Sequence, residues 1–200
     1  MPRTKEYGEI KRAETREKIL SSAVSLFAKK GLAATSAVDI AQNAGVSVGL
    51  MYHYYKTKEE VFGTLIKLAL KDIAELKKML SDSDCPKKAL ENLSTEIIAE
   101  FEAGYEFSEW MMLLLQPPLS KGESEWASGI IAFHTEFIDE IAVLISKGQR
   151  EKLFCYGNAV GLAQIFMANF KGLCLLQLML KEEFIVPNPE ALTAYLRRED

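Results

Sequence analysis

Asp39-Ile-Ala-Gln-Asn-Ala-Gly-Val-Ser-Val-Gly-Leu-Met-Tyr-His-Tyr54 decides how the rest of this 200-residue chain is read. Ile40, Ala41 and Val46 supply an apolar interior, and Gly45 falls where a tight turn needs a residue without a side chain. Ser36-Ala-Val-Asp39 has the form of a capping box, opening a short helix through Ala44. Ser47 stands ready to cap a second short helix over Val48 to Tyr54. Two short helices joined this way predict a helix-turn-helix.

Upstream, Ile19, Leu20, Ala23, Leu26 and Phe27 recur at helical spacing, so a helix is expected from about residue 12 to Lys30, with Gly31 as its stop. A basic arm (Arg3, Lys5, Lys11, Arg12) precedes it. Downstream, Thr57-Lys-Glu-Glu60 reads as a second capping box. It opens a long helix whose apolar side is Val61, Phe62, Leu65, Ile66, Ala69, Ile73, Leu76 and Leu80.

Beyond Ser81 to Pro86 the helices lengthen. One is expected over 86–103 (Leu90, Leu93, Ile97, Phe101), and another over 105–115, broken by Pro117-Pro118. A third covers 123–147, with Ile130, His134, Phe137, Ile141 and Leu144. The segment 152–182 is apolar nearly all round, and Pro187 and Pro189 precede a short final helix. Nothing alternates with the period of a strand. The fold class is therefore all-α: a three-helix helix-turn-helix domain over 1–57, then a helical-bundle domain for ligand binding and dimerisation over 58–200.

With 48 % hydrophobic and 26 % charged residues, the chain is too apolar to be disordered. Residues 1–60 hold ten Lys/Arg against seven Asp/Glu, +3. The remainder holds fourteen against twenty-one, −7, and together these give the −4 of the whole chain. A basic end and an acidic remainder suit a polyanionic partner at the N-terminal end only. Cys85, Cys155 and Cys174 lack C-x-x-C spacing, which favours reduced thiols in a cytoplasm over a disulfide framework. The polar N-terminus has no signal-like run. Gln164, Asn169, Lys171 and Gln177 interrupt the most apolar stretch, so no membrane partner is expected. No cluster suits a metal, and no cofactor is expected.

In a helix-turn-helix the second helix enters the major groove with its N-terminal end toward the bases, making duplex DNA the expected partner. The pattern Ala41-x-x-Ala44-Gly-Val-Ser47-x-Gly49-x-x-Tyr52-x-Tyr54-Tyr55-x-x-Lys58-Glu-Glu resembles the signature of the TetR family of transcriptional regulators. Phe27-Ala-Lys-Lys-Gly31 and Thr35 are also in place, so the resemblance runs from about Ile19 to Phe62. It implies phosphate contacts from Thr35, Ser47, Tyr52, His53, Tyr54 and Lys58, with Val48, Gly49 and Leu50 facing base edges. The family often has a basic residue at position 48 and a polar one at 50. Val48 and Leu50 cannot donate to guanine but can touch thymine methyls.

The resemblance further implies a homodimer on a two-fold operator, acting as a repressor released by an effector. The segments 123–147 and 152–182 are the expected interface helices, with Ala159, Gly161, Ala163 and Gly172 permitting close approach. Apolar pockets with a few placed polar groups suit small ligands. Tyr105, Trp110, Met111, His134, Phe137, Phe166, Asn169 and Phe170 are the candidates to line one for an apolar or aromatic effector. His134 reads equally as a core or interface histidine.

Two other classes compete. Gly45-Val-Ser-Val-Gly49 satisfies G-x-S-x-G, but that motif needs a strand before its serine, and only His53 and His134 exist as bases. No paired titratable groups support another enzyme. A ligand-binding or interaction protein with impaired DNA binding remains as the alternative, on Val48 and Leu50.

Overall fold

The computed structural model describes residues 3–81, 84–119 and 125–198, and among these no strand occurs. The chain forms two units, Met1–Ala69 and Leu70–Asp200, divided about three turns into a long helix.

In the first unit, α1 (Arg3–Ala34) begins well before residue 12, so the basic arm is helical. Gly31 breaks α1 with φ 77°, a left-handed conformation that a side chain would strain. Next come α2 (Ala37–Asn43), α3 (Val48–Tyr54) and α4 (Lys58–Ser81). Ile19, Phe27, Ile40, Met51, Phe62 and Leu65 are fully buried, and the Phe27 and Phe62 rings meet edge to face at 5.5 Å. Ser22 Oγ donates to the Ile40 carbonyl (3.1 Å), fixing α2 on α1. The side chains of Arg3, Lys5, Ile73 and Leu76, and residues such as Glu123, lie outside what is described.

The second unit continues α4 and adds α5 (Pro86–Ala103), α6 (Glu106–Leu119), α7 (Glu125–Arg150) and α8 (Ala159–Leu180). Leu90, Phe101, Ile141, Ile145, Phe166 and Cys174 lie at its core. Three sequence expectations are corrected here. Pro117-Pro118 sits inside the last turn of α6 rather than beyond it: so close to the end, the prolines cost their own N–H bonds but leave little helix beyond them to break.

The last long helix starts at Ala159, not 152. Lys152 adopts φ 61°, Leu153 N–H donates to the Gly148 carbonyl (2.8 Å), and Asn158 Oδ1 caps α8 from the Gly161 N–H (2.9 Å). Phe154 is buried against Gly148, where a Cβ would stand 2.1 Å from its ring. The final segment forms two 3-10 turns, Pro189–Leu192 and Ala194–Leu196, which bury Leu192 and Leu196 instead of making an α-helix.

The four polar interruptions also do not take the α8 region out of the range of a spanning helix. From Ala159 to Glu183 it is long and apolar enough by length and composition. Ala163, Phe166, Met167, Phe170, Cys174 and Gln177 of this helix are buried within the second unit.

Candidate nucleic-acid interface and ligand cavity

The turn between α2 and α3 is built from backbone bonds. Gly45 takes φ 66°, its N–H donates to the Gln42 carbonyl (3.1 Å), and Val46 N–H donates to that of Ala41 (3.0 Å). Ser36 Oγ accepts from Asp39 N–H (3.1 Å) while the Asp39 carboxylate accepts from Ser36 N–H (2.9 Å) and Oγ–H (2.7 Å). Those bonds to the charged form hold the Asp39 carboxyl below the usual carboxylate range. Ser47 Oγ accepts from Leu50 N–H (3.1 Å), so its own O–H stays available to a partner. In the box at α4, Thr57 Oγ1 accepts from Glu60 N–H (3.1 Å), but Glu60 reaches back to Lys56 N–H (2.7 Å) rather than to Thr57.

Met51 and Tyr55 point into the core and anchor α3. Gly49, Leu50, Tyr52 and His53 are exposed, while Val48 and Tyr54 are half-buried. Gly49 has an unstrained helical backbone, and a Cβ there would meet nothing within 4 Å among the described residues.

Two residues of this set are turned inward. Thr35 is 1 % exposed, and its hydroxyl donates to the Gly31 carbonyl (2.8 Å). Lys58 Nζ donates to the carbonyls of Leu32 (2.8 Å), Ala33 (3.1 Å) and Thr35 (2.8 Å). An ammonium has three N–H groups, so in this conformation none is left for a phosphate. Beside them lies a polar hollow lined by residues 33–37, Tyr52, Lys56 and residues 57–59. Exposed Lys56 borders it, a cation that the sequence reading passed over.

The second unit holds a cavity of about 200 Å³ walled by α5 (Leu93, Ile97), α6 (Phe107, Met111), α7 (Phe133, Phe137) and α8 (Met167, Phe170). His134 and Lys171 also line it, as do Glu96 and Glu100, which are exposed. It brings together four of the eight candidates, Met111, His134, Phe137 and Phe170.

The other four stand elsewhere. Phe166 is fully buried in the core, and Asn169, one residue from Phe170, is rotated outward by the helical repeat. Trp110 is half-buried outside the lining. Exposed Tyr105 donates its hydroxyl to Glu182 (3.2 Å).

His134 Nε2 lies 3.2 Å from the Leu114 carbonyl, which can only accept, and Nδ1 lies 3.3 Å from Lys171 Nζ, which can only donate. The geometry therefore assigns the neutral Nε2–H tautomer. Burial first, and the Lys171 charge second, push the His134 pKa down. Burial likewise pushes the Lys171 pKa down, against the opposing effect of the nearby Cys174. Lys171 was legible as a lone charge in a nearly all-apolar helix, a placement that is costly unless something uses it.

Residues 19–65 match the family model described as bacterial regulatory proteins, tetR family. The uncharacterized HTH-type transcriptional regulator YerO of Bacillus subtilis (strain 168) is 28 % identical over 138 residues, 68 % of this chain and 48 % of that protein. The chain thus spans about half the length of that curated relative. The MbdR regulator from Azoarcus sp. CIB superposes with a TM-score of 0.74 at 24 % identity, covering 90 % of this chain and 93 % of that one. AibR in complex with isovaleryl coenzyme A and operator DNA gives 0.68 at 17 % identity, covering 90 % and 94 %. These structures share the fold.

Proposed function

We propose, from the match of residues 19–65 to the tetR family model and the helix-turn-helix they form, that the protein is a sequence-specific, DNA-binding transcriptional regulator. It works in the cytoplasm as a repressor without catalytic activity, released when an apolar or aromatic small molecule enters the α5–α8 cavity. Gly49 carries the DNA-binding part of the reading. Glycine is a poorer helix former than alanine, yet neither the backbone nor any described neighbour of Gly49, the second residue of α3, requires one. A partner outside the chain, close against the start of α3, does.

On DNA, Val48, Gly49 and Leu50 face the bases, while the Ser47, Tyr52 and Tyr54 hydroxyls and His53 meet phosphates. Lys56 supplies the phosphate charge beside the polar hollow. Thr35 and Lys58 position the head instead, by tying the end of α1 to the start of α4. AibR, which shares the fold, has been solved with operator DNA bound.

The working form is a homodimer. Gly161, Ile165, Gly172, Leu176 and Met179 fall on one side of α8, with Ile165, Leu176 and Met179 all exposed, and α7 exposes Ile131 and Val143. Ala163 points into its own core and takes no part. A two-fold dimer reads two half-sites about 34–36 Å apart or a multiple of that. The effector acts by binding one dimer state more tightly, and a coupling of about 1–3 kcal/mol changes operator affinity roughly 5- to 150-fold.

The test is fluorescence anisotropy against the DNA upstream of the protein's own gene and a scrambled control, at two salt concentrations, for wild type and Gly49→Ala. Wild type should prefer the native fragment, and the variant should lose at least about tenfold while melting no lower than wild type. If random-sequence selection finds no preferred site for wild type, the ligand-binding reading without operator recognition replaces this one.

A further inference from the structure

The cavity's lining is apolar apart from Lys171, His134, Glu96 and Glu100, and Lys171 is the one Lys or Arg among its described lining residues. Half-buried Lys171 has its ammonium 3.3 Å from His134 Nδ1, and no carboxylate among the described residues forms an ion pair with it. The neutral imidazole accepts one of three ammonium protons, which leaves two donors for an occupant. Phe133, Phe137 and Phe170 form the apolar wall around this group. The opposite lining residues on α5, Glu96 and Glu100, are exposed and mark an acidic mouth.

We propose that the effector is a free monocarboxylic acid with a single-ring or short-chain apolar body, its carboxylate on Lys171 and its body among the phenylalanines. This deepens the effector-release reading above and rests on it. Size supports the body, since an apolar cavity of about 150 Å³ accepts a benzene ring and this one holds about 200 Å³. Charge supports the head group: a carboxylate gives the half-buried ammonium an ion pair that it lacks among the described residues.

The corresponding coenzyme A thioester fits this lining less well than the free acid, which brings one negative charge past the glutamates and pairs it with Lys171. Its acyl end carries no charge for Lys171, and its polyanionic remainder would lie against Glu96 and Glu100. A neutral effector of the same shape would gain the apolar wall but leave the cation unmatched.

Isothermal titration calorimetry of the full chain without DNA keeps this test separate from operator binding. The probes are 3-phenylpropionate, 3-phenylpropan-1-ol and 3-phenylpropionyl-coenzyme A. Wild type should bind the acid roughly 10- to 150-fold more tightly than the alcohol, the worth of a charge-assisted hydrogen bond, with the thioester weakest.

Lys171→Met should erase the preference for acid while still binding the alcohol, which also shows that the cavity has folded. Equal wild-type affinity for acid and alcohol, tighter binding of the thioester, or binding of none of the three overturns the proposal. So does a Lys171→Met variant that keeps the acid preference. Those failures leave the DNA-binding reading standing, because that reading fails only by anisotropy.

Discussion

Gln177→Leu removes the polar joint that holds α8 to the corner between α5 and α6. The side chain is 3 % exposed. Its Nε2 donates to the carbonyls of Phe101 (2.9 Å) and Gly104 (3.1 Å), and its Oε1 accepts from Ser108 Oγ (2.6 Å). Leucine fills nearly the same volume, so packing changes little and the hydrogen bonds are what is lost. Three bonds at about 1 kcal/mol each, with two carbonyls stranded at the end of α5 and a small return from the added apolar surface, come to roughly 3 kcal/mol. For a unit of this size that lowers Tm by roughly 10 °C.

Urea unfolding followed by circular dichroism measures the loss, and hydrogen exchange should quicken around residues 101–108. Ser108→Ala added to Gln177→Leu should cost less than the two separate effects combined, since each single change orphans the other's partner. A loss under about 1 kcal/mol, or strict additivity, would refute the reasoning.

Lys58→Met should destabilise the head by roughly 2 kcal/mol through three unmatched carbonyls, yet leave the salt slope of DNA binding unchanged. Lys56→Ala should lower that slope by about 1, and salt-dependent anisotropy separates the two. Burial pushes the Cys174 thiol up to about 12, so native protein at pH 8 should leave Cys174 unmodified by a thiol reagent that modifies it after unfolding, as peptide mass analysis would report. The Asp39 carboxyl is held low by Ser36, so its contribution is present above the ordinary carboxylate value and lost as pH falls through the lower folded one. Ser36→Ala should therefore cost stability at neutral pH, by a margin that closes in acid melts. Met179→Asp should shift the chain from dimer to monomer in light scattering while leaving its helix content intact.

The head was legible because its boundaries are written in side chains that cap: Ser36 with Asp39, Gly45, Ser47 and Thr57 each perform the bond their residue type suggests. The start of α8 was not, because Leu153, Phe154, Cys155 and Tyr156 carry as much apolar character as the helix that follows. The left-handed Lys152 before them and the Asn158 cap after them set them apart from α8. In the cavity, composition pointed to aromatic walls but not to the helical phase that separates Phe170 from Asn169 or Met111 from Trp110. Lys58 looked like a phosphate ligand in sequence. Which acceptor takes a lysine is a question of tertiary distance, and here the Lys58 ammonium reaches the carbonyls of Leu32, Ala33 and Thr35.

The Lys58 clamp matters for anyone building hybrid proteins from this chain. A junction at 57/58, where the sequence invites a cut, would take the lysine from one parent and the carbonyls of Leu32, Ala33 and Thr35 from the other. A junction at 69/70 keeps donor and acceptors in a single parental module and moves the seam into the helix behind it. Of two such chimaeras, the later splice is the one that inherits an intact head.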